Sequence, residues 1–145
     1  PKDKSLLEPI SSEEIKKFDN YKLNELEKYI CKFSDRINYE NKINENFNLI
    51  QVLGDTFQDK KFNPVINQNT GFNLSILKSK KGKIKNLKFS KPTVMFSQIG
   101  SWQIQIDDFE VNLNPKDTIS IPINSNINVS IDSEHESLLN CVTQI

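Results

Sequence analysis

The chain has 145 residues, 19 basic and 19 acidic side chains, and a formal net charge of zero. That length suits a single domain whose core needs no disulfide staples, and the even charge balance argues against a dedicated binder of nucleic acid or anionic membrane. Hydrophobic residues make up 36% and charged ones 26%, so a modest core under a polar surface is expected.

The finer composition excludes more. Arg36 is the only arginine, asparagine and isoleucine each occur 18 times, and alanine is absent. His135 is the only histidine. A multi-histidine metal site is therefore ruled out, and any histidine general base is this one residue.

Residues 1–45 carry helical signals. Ser11 followed by Glu14 forms a capping box opening on Ile15 and Phe18. Leu23, Leu26, Tyr29, Ile30 and Phe33 then recur at helical spacing, with Glu25, Glu27, Lys28 and Lys32 on the other side. This predicts an amphipathic helical extension that packs on its own domain. The N-terminal Pro-Lys-Asp-Lys-Ser has no apolar stretch, and no run reaches the roughly 18 apolar residues of a membrane span. The expectation is a cytoplasmic chain in which Cys31 and Cys141 are reduced thiols.

From residue 46 onward the period shifts towards two. Strands are predicted at Asn48–Leu53, Phe72–Lys78, Val94–Ile99, Trp102–Ile106, Phe109–Leu113, Thr118–Pro122, Ile127–Ile131 and Leu138–Thr143. Gly100 and the Asp107-Asp108 pair mark turns between consecutive runs. Lys78–Lys91 is crowded with lysine and predicts a solvated hairpin or loop around Gly82; an anion site or an acidic-partner surface is the functional alternative. Its lysines would offer point charges without arginine's bidentate fork. His135, among Asp132, Glu134 and Glu136, reads as an exposed turn residue. Cys141 reads as a buried structural thiol within the last strand, and Cys31 as a packed residue of the helical segment. Short strands at this spacing predict an all-β sandwich or barrel. Four glycines, at 54, 71, 82 and 100, leave no room for a Gly-rich phosphate loop.

Two stretches carry a family resemblance. The segment from Gly71 to Ile106, with its Gly100-Ser101-Trp102 turn, and the segment from Leu113 to Ile131, with Leu113, Pro115, Asp117 and Pro122, together resemble the two motifs of the cupin superfamily. The likeness is to single-domain bacterial cupins and extends from about Asn48 to Val142. It implies a double-stranded β-helix, the RmlC-like jelly-roll barrel, over residues 46–145, behind the helical N-terminal extension of 1–45. It also implies a homodimer.

The departures from the motifs concern the metal. Metal-binding cupins supply two histidines and a glutamate from the first motif and a histidine from the second. The glutamate position falls here on Thr93, and the histidine positions on Lys88 and Ser90, or on Leu87 and Phe89 one residue over. The last position is Ile127. None of these side chains holds a divalent cation well, so neither metal nor other cofactor is expected. Strand alternation places Thr93, Met95 and Ser97 on the inner face, with Trp102, Ile104 and Ile106 on the next strand and Ile127, Val129 and Ile131 from the second motif. Lys88, Ser90, Thr93, Met95, Ser97, Trp102 and Ile127 are thus the candidate ligand-binding residues of the barrel interior. The favoured reading is a metal-free, non-enzymatic protein that binds a small apolar or amphipathic molecule in the barrel or acts through its surface, with no nucleic-acid or membrane partner. The alternative is a metal-independent isomerase or lyase using Lys88, Thr93 or Ser97, since a desolvated lysine can serve as base or Schiff-base donor.

Overall fold

The structure is a computed structural model and describes residues 40–54 and 71–145. The predicted helices of residues 11–33, and Cys31 with them, lie outside the described residues. Among the described residues there are eight strands: β1 Glu40–Lys42, β2 Phe47–Leu53, β3 Phe72–Leu87, β4 Thr93–Ile99, β5 Trp102–Ile106, β6 Phe109–Leu113, β7 Thr118–Ile121 and β8 Ile127–Gln144. All pairings are antiparallel. The all-β jelly-roll class holds.

Two strands are far longer than their neighbours, and they organise the molecule. β3 and β8 pair along almost their full lengths, from Phe72 opposite Gln144 to Leu87 opposite Ile127. The Phe72–Ser79 half carries β2 and then β1 on its free side, while β8 passes on to β4 and β7 through Leu138–Thr143. The Lys81–Leu87 half continues instead through the Ile127–Ile131 part of β8 to β5 and β6. Register shifts between Ser79 and Lys81 mark the place where the two halves diverge, as bulges bend a strand from one sheet into another. Both halves contribute to one core: Phe47, Leu49, Leu77, Met95, Leu139 and Cys141 from the first, Trp102, Ile104, Leu113, Ile127, Val129 and Ile131 from the second.

Four local expectations are corrected. Lys78–Leu87 is strand, because Lys80, Lys81, Lys83 and Lys85 face solvent while the backbone pairs with β8, Lys81 lying opposite Asp132. Gly82 is no loop marker. A Cβ there would meet the Phe47 ring at 2.7 Å, so glycine is what lets that ring pack across the strand. His135 stands within β8, exposed but not in a turn. Within the segment assigned to the helical extension, Glu40–Lys42 is an edge strand paired to Asn48–Ile50.

The expected turns are present. Asp107 takes a positive φ of 50° between β5 and β6, and its carboxylate accepts the Asn126 N–H at 3.0 Å. Between β6 and β7, the Asp117 carboxylate accepts the Asn114 N–H at 3.0 Å, and the Lys116 N–H donates to the Ser97 carbonyl at 2.8 Å. This Asn114–Asp117 turn is therefore pinned to the end of β4. No helix among the described residues is long and apolar enough to cross a membrane.

Candidate functional site: the barrel interior

Alternation along β4 turns Thr93, Met95 and Ser97 inward, each at most 1% exposed, and leaves Val94 and Gln98 outside. Trp102 and Ile104 on β5 and Ile127 and Val129 on β8 are fully buried in the same core. Five of the seven candidate residues therefore meet in the interior. Lys88 and Ser90 do not. They follow the end of β3, where the alternation carries on, so that Phe89 between them turns in and both flanking side chains face solvent. The Phe89 carbonyl accepts the Asn124 N–H at 2.9 Å, which fixes that orientation.

Each interior polar group on β4 and β5 has a structural partner. The Thr93 hydroxyl donates to the Lys91 carbonyl at 3.1 Å and lies 3.3 Å from the Thr143 hydroxyl. Ser97 donates to the Gly100 carbonyl and so closes the β4–β5 turn. Gly100 has a φ of 90°, and a Cβ there would collide with Ser137, which accounts for glycine at this corner. The indole Nε1 of Trp102 donates to the Ile99 carbonyl at 3.1 Å, while its ring lies 6.3 Å from that of Phe47. None of these hydroxyls has a base beside it, so none is an activated nucleophile. Cys141 is completely buried, and burial pushes its thiol up, far from thiolate character at neutral pH.

Two interior residues escaped the sequence reading. Gln51 on β2 and Ser75 on β3 are direct cross-strand partners and both are fully buried. Among the described residues, neither the amide nitrogen nor the amide oxygen of Gln51 has a hydrogen-bond partner, nor has the Ser75 hydroxyl. Such groups are uncommon in folded proteins, each costing about 1–3 kcal/mol when left unpaired. Ser75 lies opposite Cys141, and Cys141 opposite Met95, so a single row of side chains crosses four strands. The interior is thus polarised. Gln51, Ser75, Thr93 and Thr143 lie towards one end; Phe47, Trp102, Ile104, Ile127 and Val129 give the other a mainly apolar lining, where the buried Ser79 and Ser137 hydroxyls are taken up by the Asn46 and His135 carbonyls.

A divalent metal does not fit the positions where the cupin motifs would put its ligands. Thr93 is committed to its hydrogen bonds, Ile127 has no donor atom, and Lys88 and Ser90 point outward. In the alternative register, Leu87 and Phe89 offer only hydrocarbon. No group of three or more His, Cys, Asp or Glu side chains comes together as a metal cage among the described residues.

No family model matches the chain, and no curated protein matches it. Solved structures do match. Ectoine synthase from P. lautus aligns at a TM-score of 0.61 and 12% identity, covering 79% of this chain and 76% of that one. The plu4264 protein from Photorhabdus luminescens aligns at 0.58 and 13%, covering 80% and 85%. An RmlC-like cupin from Shewanella frigidimarina aligns at 0.56 and 9%, covering 72% and 81%. At such identities the likeness is one of fold, and the fold it shows is that of the cupin superfamily.

Proposed function

We propose that this chain, a cupin in fold, is a metal-independent binding protein that holds a small molecule in its barrel interior and performs no catalysis there. The observation that carries this reading is the interior itself. It is lined by apolar side chains and a few neutral polar ones, and none of its buried residues is Asp, Glu, Lys, Arg or His among the described residues. Acid–base chemistry needs a titratable group within reach of the substrate, and the lysine of the enzymatic alternative is on the surface. The neighbours of this fold include a protein named as ectoine synthase, so the scaffold accommodates enzymes; the difference here lies in the residues inside it.

The reading includes a homodimer in the cytoplasm. Elemental analysis of protein purified without chelator, combined with native mass spectrometry of the same sample, tests it. Expected are less than about 0.1 metal ion per chain, by the mismatch of donor types, and a particle of twice the chain mass. One tightly bound metal per chain would overturn the metal-independent reading, and a monomer at all concentrations would remove the dimer.

A further inference from the structure

We infer that the polar end of the barrel is built to hold a small uncharged group that both donates and accepts hydrogen bonds, such as an alcohol, a polyol or a carboxamide, between Gln51 and Ser75. This rests on the interior-binding reading above and narrows its ligand.

The two side chains project to the same face from directly paired positions, close enough for cross-strand partners to interact. They nevertheless make no hydrogen bond to each other or to any other group among the described residues. The amide of Gln51 offers two N–H donors and a carbonyl acceptor, and the Ser75 hydroxyl offers one donor and acceptor capacity. A guest that satisfied them needs donor and acceptor in one compact group. Net charge is excluded by the surroundings. Cys141 and Met95 continue the row, Leu49 and Leu77 lie two residues along β2 and β3, and no buried residue among those described carries a counter-charge. An ion there would be desolvated without compensation. The β2–β3 ladder also breaks directly after Gln51, with a register shift between Gln51 and Leu53. Such bulges re-aim side chains next to binding sites.

A structural role and a ligand-holding role make opposite predictions for removal of these polar atoms. Gln51→Leu and Ser75→Ala each delete an unpaired buried group, so without ligand the thermal midpoint should hold or rise by a few degrees. The same variants should lose any stabilisation by ligand. The test uses the full 15N-labelled chain, the Gln51 side-chain amide signals being assigned by their loss in Gln51→Leu. The probes are acetamide and ethylene glycol as neutral groups, and acetate and methylammonium as charged ones. Saturable shifts of the Gln51 amide with the neutral probes alone, and loss of acetamide stabilisation in both variants, are expected. Equal response to acetate or methylammonium would overturn the proposal. So would a midpoint lowered by several degrees in both variants. Probe binding elsewhere in the barrel, unaffected by either substitution, would sink this assignment while leaving the interior-binding reading intact. No interior binding by any probe would sink both.

Discussion

Trp102 shows how single side chains set the apolar end of the barrel. It is the largest fully buried residue, packed near Phe47 and tied by its indole nitrogen to the Ile99 carbonyl. Trp102→Phe keeps an aromatic ring but removes the hydrogen bond and leaves the carbonyl dependent on water, a loss of about 1–2 kcal/mol. Trp102→Ala adds a cavity, and its cost rises to about 3–5 kcal/mol. Urea unfolding followed by circular dichroism should show this order with an unchanged m-value; equal midpoints for the two variants would mean that the site collapses around either. Trp102 was legible in the sequence because Trp102-Gln-Ile-Gln-Ile106 alternates without ambiguity. Gln51 was not. Ile50 and Val52 are apolar as well, so β2 reads equally well with either face inward, and only the pairing of Leu49 with Leu77 decides which one it is. Lys88 and Ser90 were misplaced for a related reason: motif spacing counts residues, whereas orientation depends on where the preceding strand ends.

At the scale of elements, the edge strand β1 depends on a charge network that no local pattern announces. Lys78 on β3 reaches across β2 to the Glu40 carboxylate at 2.8 Å and lies 3.4 Å from Glu136 on β8. The amide of Asn48 donates to the other Glu40 oxygen at 3.3 Å. The hydrogen bond it donates to Glu40 holds the Lys78 ammonium above its ordinary value of 10.5, against the opposing pull of burial. A lysine whose pKa is raised by folding contributes its stability in full below the unfolded value and loses it as pH rises through the folded one. Wild-type stability should therefore fall above about pH 10.5 by a step absent from Lys78→Met. The step should be small, about 0.5–1 kcal/mol, since Glu136 is largely exposed and the pair is partly solvated. Urea midpoints of both proteins between pH 8 and 12 would measure it, and parallel curves would show that the network contributes nothing. The same region explains why the long strands were read short. Around Lys80–Lys85 and Asp132–Glu136 most side chains face water, so the apolar alternation that signals a strand is absent. Pairing such as Lys81 with Asp132 is supplied by the partner strand and is invisible to a window of neighbouring residues.

Across the whole molecule, the sharing of β3 and β8 by both halves of the barrel should govern how it comes apart. Ile76, Leu77, Leu139 and Cys141 lie in the half that carries β2 and β4, and Val129 and Ile131 lie in the half that carries β5. Exposing the amides at the centre of this ladder removes the support of the flanking strands on both sides, so their hydrogen exchange should require global unfolding. β1 pairs only with β2, β6 only with β5, and β7 only with β4 among the described residues. Their outer amides should exchange through local opening, at free energies well below the global value. Native-state exchange followed by NMR at several low urea concentrations distinguishes the two classes. Amides of Leu77, Val129 and Leu139 should share the denaturant dependence of complete unfolding, while those of Glu110 and Ser120 should be nearly insensitive to it. Faster exchange at Leu139 than at Glu110 would mean that the barrel opens along β8. In that case the interior layer of Gln51, Ser75 and Cys141 would be reached by parting the sheet between β3 and β8, and ligand entry would track the opening rate of that ladder.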